Sequence, residues 1–69
     1  MTVEEVRRRV EEIRTIQERD DDDEACHGRE DALHQDVLRA IAAGTCALPA
    51  VCAEVALSTK DIPFARWCA

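Results

Sequence analysis

The chemically reactive side chains of this sequence gather in residues 26 to 36, CHGREDALHQD, which hold both histidines, a cysteine and three acids. Three kinds of chemistry suit such a set. Imidazoles and carboxylates can ligate a metal ion. A thiol beside an imidazole can serve as a nucleophile and its base. The same groups can also satisfy one another as hydrogen-bond donors and acceptors at a half-exposed helix end.

Spacing discriminates between them. Read as a helix, at about 100° per residue, Leu33, Val37, Leu38 and Ile41 define an apolar stripe. Cys26, His27, Glu30 and His34 fall on that stripe, and Asp31 falls at its edge. The C-terminal half is therefore aliphatic and the N-terminal half polar. Cys26 and His27 are sequence neighbours, so on a helix they point about 100° apart and make a poor catalytic pair. There is also no glycine-rich phosphate loop and no nucleophile elbow, so the expectation is that the protein is not an enzyme. His27, Asp31 and His34 step by four and three, which permits a metal site using them or Glu30. Glu24 and Asp31 each precede a histidine by three, an echo of di-iron helical bundles. Those bundles take ligands from several helices, and the first helix here offers none on its inward face. A hydrogen-bonded polar cluster of Gln17, His27, Glu30, Asp31 and His34 is thus the leading expectation. A partner-binding surface comes next and metal binding third, and no cofactor is assigned.

The elements that must position these groups are helical. Thr2 and Glu5 form a capping box, and Val3, Val6, Val10 and Ile13 recur at helical spacing. This predicts a first helix to about residue 19, with Glu and Arg on its outer face, where Glu4–Arg8 and Glu5–Arg9 pair at i,i+4. The run DDDDE at 20–24 repels itself and suits a turn, with its last Asp as the next N-cap. It lacks the spacing and the glycine of a calcium loop. A second helix runs from about residue 24 to Ala43, with Gly44 as its C-cap. In an antiparallel hairpin Gln17 then faces His27 and Glu30, with Arg14 within reach. Pro49 opens a short third helix, PAVCAEVAL, apolar on most sides and expected to be well covered. STKD breaks it. The apolar end, IPFARWCA, is expected to form a helical turn folded back on the core with Trp67 as a lid. Phe64, Arg66 and Trp67 in an exposed tail would instead make a partner-binding element. The predicted fold is all-α: one domain over residues 1–69, an antiparallel helical hairpin capped by a short third helix and a C-terminal helical turn.

Composition narrows the function classes. The 69 residues carry 9 basic and 15 acidic side chains, a net charge of −6. Most of that excess lies in residues 1–24, where 10 acids face 5 arginines. Such a surface favours basic partners and disfavours nucleic acid. The third helix as a recognition helix would offer Glu54 and no base-reading side chain, so a helix-turn-helix-like DNA-binding regulator ranks last. There is no apolar run of membrane-spanning length and no secretory leader, so a cytoplasmic setting with reduced thiols is expected. The four cysteines contain no C-x-x-C pair, against a zinc ribbon. Within these limits the reading is a small acidic module that binds a protein partner or itself.

HGREDALHQDVLRAIAAG and the closing DIPFARWCA resemble a family of small uncharacterised helical proteins of actinobacteria and their phages. The resemblance rests on a His-x-x-Glu-Asp segment, here His27, Glu30 and Asp31, and on an aromatic end, here Phe64, Arg66 and Trp67. It covers most of the chain after residue 24. Ile62-Pro63 departs from the family pattern, which has a residue such as Asp directly before the phenylalanine. The resemblance implies a bacterial or phage source and no particular activity.

Overall fold

The computed structural model describes residues 1–66, and all their regular structure is helical. Helix α1 spans Val3–Asp20, α2 Asp23–Ala43 and α3 Pro49–Leu57; a 3-10 turn follows at Ser58–Asp61. None of these helices is long and apolar enough to cross a membrane.

Each helix end has a local cause. The Thr2 hydroxyl oxygen accepts from the Glu5 amide at 3.2 Å, closing the first turn of α1. Asp21 ends α1 in the left-handed region, φ 49°, and its N–H donates to the Gln17 carbonyl. Asp22, one residue before the expected Asp23, then caps α2, its carboxylate accepting from the Ala25 amide at 3.0 Å. Two aspartates thus reverse the chain between long helices, a shorter turn than the charge run suggested. Gly44, at φ 72°, terminates α2. Its N–H donates to the Ile41 carbonyl and that of Thr45 to the Ala40 carbonyl, a Schellman closure.

Cross-contacts establish the antiparallel pairing of α1 and α2. The Met1 ammonium reaches the Thr45 carbonyl, Arg9 pairs with Asp36, Glu12 with Arg29, and the Ile13 carbonyl meets the Cys26 thiol. Partner numbers fall as the α1 numbers rise. Between the helices lie Val3, Val6, Val10, Ile13, Cys26, Leu33 and Val37; Cys52 and Ala56 of α3 close the core, with Ile62 and Phe64 from the tail. The expected α1 stripe is the observed one.

The α2 stripe requires correction. Leu33 and Val37 are buried, but Leu38 is 65% and Ile41 38% exposed. On one side α2 meets α1 through Arg29 and Asp36. On the other it meets α3 and the turn after it through His34. The arc covered by both neighbours is narrower than the apolar arc of the helix, and Leu38 lies beyond it. A second correction concerns α3. Only Cys52 and Ala56 are buried there, because a nine-residue helix laid on one side of a hairpin is covered on one face.

The tail also differs in detail. The helical turn forms at Ser58–Asp61, ahead of the apolar segment, and Ile62 is extended at φ −79°, ψ 122°. Pro63 is the reason, since its ring clashes with a helical conformation of the preceding residue. The segment nevertheless folds back, with Ile62 and Phe64 buried. Trp67, the expected lid, lies outside the described residues.

Gly28 sits exposed within α2, and a Cβ built there meets nothing within 4 Å. Gly28→Ala is therefore expected to stabilise the protein by about 0.5–1 kcal/mol by restricting the unfolded chain. A thermal melt should show the midpoint several degrees higher; an unchanged or lower midpoint contradicts a helical residue 28.

Candidate functional site

The polar half of the α2 stripe is centred on Glu30, whose side chain enters the core and is almost wholly buried, at 1% exposure. A lone buried carboxylate would be strongly destabilising. Its partner comes from the far end of the chain. Arg66 approaches side-on, Nε donating to Oε1 at 2.9 Å and Nη2 to Oε2 at 3.1 Å. Lys60 adds a third cationic donor at 3.5 Å from Oε1. Burial pushes the Glu30 carboxyl up, but the Arg66 hydrogen bonds, the Thr59 side chain and the charges of Arg66 and Lys60 outweigh it. The net position is below the ordinary carboxylate value.

Arg66 does more than neutralise Glu30. Its Nη2 donates to the Thr59 carbonyl at 2.6 Å and the Ile62 carbonyl at 3.0 Å, and Nη1 to the Phe64 carbonyl at 3.2 Å. The guanidinium carbon stands 3.7 Å from the Phe64 ring centroid, a cation–π contact. One planar cation therefore gathers the backbone of the 3-10 turn and the tail around a carboxylate fixed on α2. Its rigid fork suits this better than an ammonium would.

His34 ties the same region from one turn further along α2. Its Nε2 lies 3.0 Å from the Ala56 carbonyl and 3.1 Å from the Thr59 hydroxyl oxygen. A carbonyl only accepts, so Nε2 carries the hydrogen. The Thr59 hydroxyl in turn donates to the Ala56 carbonyl at 3.0 Å. No buried side-chain nitrogen or oxygen among the described residues lacks a partner.

The five residues expected to share one cluster are distributed over separate contacts. Glu30 and His34 both serve the junction of α2 with α3 and the tail. His27 is half-buried and directed away from Glu30 and His34, its Nε2 3.8 Å from the exposed Asp31 carboxylate, a long pair that contributes little. Gln17 is half-buried and accepts from the Asp21 amide through its backbone carbonyl. Among the described residues its side chain bonds neither His27 nor Glu30. What α1 offers at this level is the Ile13 carbonyl, 3.6 Å from the Cys26 sulfur. Phe64 and Arg66, read as an element of an exposed tail, are turned inward. Thr59 and Lys60 were missed; the available signal was that a glutamate on a buried stripe requires a cation, and residues 47–69 hold only Lys60 and Arg66.

These contacts give the arrangement cohesion between α2, α3 and the tail. Cys26 is fully buried, and burial, followed by the charges of Asp22 and Asp23, pushes its thiol up. It faces Ile13 while its neighbour His27 faces Asp31, so the two do not act on a common atom. Among the described residues no three His, Cys, Asp or Glu side chains converge on a point where an ion could sit. Two open grooves of about 410 and 440 Å³ flank α1, and neither is lined by His27, Glu30, Asp31 or His34. Comparison with family models, curated proteins and solved structures gives no match to this chain.

Proposed function

We propose that the protein is a small acidic interaction module, and that a protein partner docks along the seam between α2 and α3. The observation that carries this reading is the pair of exposed leucines bordering one internal contact. Leu38 lies one turn beyond His34 on the same side of α2, and Leu57 directly follows Ala56, whose carbonyl His34 meets. They are 65% and 61% exposed, and Ile41 one turn further is 38% exposed. Exposed aliphatic side chains at helical spacing suit the apolar face of an amphipathic partner helix. The net charge of −6, concentrated toward the α1–α2 turn, supports a partner with basic residues flanking its apolar strip. The outward residues of α3 include Val51, Glu54 and Leu57 and no cation, which speaks against a nucleic-acid partner. Among the described residues Cys26, Cys46 and Cys52 are free thiols, which suits a reducing cytoplasmic setting.

Leu38→Glu places a charge in the seam without touching the core. It is expected to weaken partner capture more than tenfold, while Leu48→Glu, an equally exposed leucine at the α2–α3 turn, leaves capture intact. Affinity capture with the two variants in parallel, and sedimentation to detect a second copy as the partner, provide the measurement. A strictly monomeric protein from which Leu38→Glu removes no bound species would overturn the reading.

A further inference from the structure

The turn joining α2 to α3 holds two thiols that the interaction reading does not use. Cys46 lies in the turn and Cys52 on the first turns of α3, and both sulfurs approach the same oxygen. The Ala47 carbonyl accepts from Cys46 Sγ at 3.8 Å and from Cys52 Sγ at 3.1 Å. Leu48 between them adopts the left-handed region, φ 49°, an uncommon conformation for a residue with a branched side chain. It lies at the bend that brings both sulfurs within 3.8 Å of that one oxygen. The same turn carries the N-terminus: the Met1 ammonium donates to the Thr45 carbonyl, and the Ala47 amide donates to the Met1 carbonyl at 2.9 Å.

We propose that Cys46 and Cys52 are a redox thiol pair, which a low-molecular-weight disulfide converts to an intramolecular disulfide across the α2–α3 turn. The order of events follows from exposure. Cys46 is half-buried, whereas Cys52 is fully buried. Burial, followed by the neighbouring Cys46 thiol, also pushes the Cys52 thiol up. Cys46 as thiolate attacks one sulfur of the reagent, RSSR. The S–S bond breaks and RS⁻ leaves with the electron pair, to be protonated as RSH. Cys52 then loses its proton and attacks the Cys46 sulfur of the mixed disulfide, expelling the second RS⁻. Two protein thiols are oxidised to one cystine and one RSSR is reduced to two RSH. Cys26, at the other end of the hairpin against the Ile13 carbonyl, stands apart from this exchange.

Closing this short loop removes freedom from the unfolded chain and locks the turn on which Met1 is seated. The midpoint of thermal unfolding should rise by roughly 10 °C. The test treats the folded full chain with oxidised glutathione, followed by digestion and mass mapping. The expected product is a peptide pair linked through Cys46 and Cys52, two hydrogens lighter than the reduced form and reversed by dithiothreitol. Cys52→Ser should stop at one glutathione on Cys46, and Cys46→Ser, which leaves the buried thiol in place, should give no link within the turn. The proposal is overturned if the unmodified sequence retains glutathione on Cys46 without closing. Linkage of Cys46 to Cys26 or Cys68, or no reaction in the folded chain, would overturn it equally.

Discussion

Arg66→Ala is expected to destabilise the protein by about 3 kcal/mol, the lower end of what breaking a buried ion pair costs, since the arginine itself is partly exposed. The loss has two parts. Glu30 is left in the core with only Lys60, 3.5 Å away and itself largely solvated, as counter-charge. The carbonyls of Thr59, Ile62 and Phe64 lose the donor that holds turn and tail together. For a 69-residue chain, total stability is on the order of 3–10 kcal/mol, so much of it depends on this residue. Urea unfolding should show the midpoint shift, and a change below about 0.5 kcal/mol would mean the pair is not formed. Glu30→Gln keeps the shape without the charge, and a smaller cost is expected.

The same pair predicts a pH dependence with a definite sign. The Glu30 carboxyl is held below its ordinary value of 4.5 in the folded protein. Stability from this depression is therefore complete above the unfolded value and is lost as pH falls through the folded one. Comparing the native sequence with Glu30→Gln cancels the titration of the other carboxylates. The stability gap between them should be constant near neutrality and close progressively below about pH 4.5. A gap that widens on acidification would reverse the assignment.

Ile62→Ala is expected to cost about 3 kcal/mol, as deletion of a buried branched side chain does where the surroundings relax only partly. Ile62 belongs to no helix, yet it is fully buried. The prediction therefore asks whether the tail is part of the core. Leu57→Ala, removing a similar volume at a 61% exposed site five residues earlier, should change stability by less than about 0.5 kcal/mol. Equal effects at the two positions would show that residues 62–66 do not pack as described. Arg66 donates to the Ile62 backbone carbonyl and so holds the segment that carries the Ile62 side chain; each variant loosens that same segment, and the double variant should lose less than the sum of its parts.

The residues of CHGREDALHQD divide between two sets of contacts. Glu30 and His34 hold α3 and the tail to the hairpin, while His27 and Asp31 form a separate, longer pair. A segment with the residue types of a metal or catalytic site thus acts largely as an internal fastening. The exposed aliphatic side chains Leu38 and Ile41 lie further along the same helix.

Local pattern determined most of the elements. Val3, Val6, Val10 and Ile13 specify one buried face at a fixed period; Thr2, Asp22 and Gly44 satisfy orphan backbone groups where helices must start and stop. These effects act over a few residues, so they are legible in order along the chain. The polar cluster was legible only as residue types on an arc. Which of them would meet depended on where Arg66 arrives, 36 residues from Glu30, and periodicity carries no information about such a meeting. The width of the buried arc on α2 was likewise settled by which sides α1 and α3 cover, which leaves Leu38 in solvent although its helical position resembles that of a core residue. Sequence alone determined the helices, the Thr2 and Gly44 caps and the hairpin, because these depend on hydrogen bonds and side-chain spacing within one segment; among four successive aspartates it did not single out Asp22 as the cap of α2. Tertiary structure decided the burial of Glu30, the inward turn of Arg66 and the exposure of Leu38, because burial and ion pairing depend on which surfaces the other segments cover.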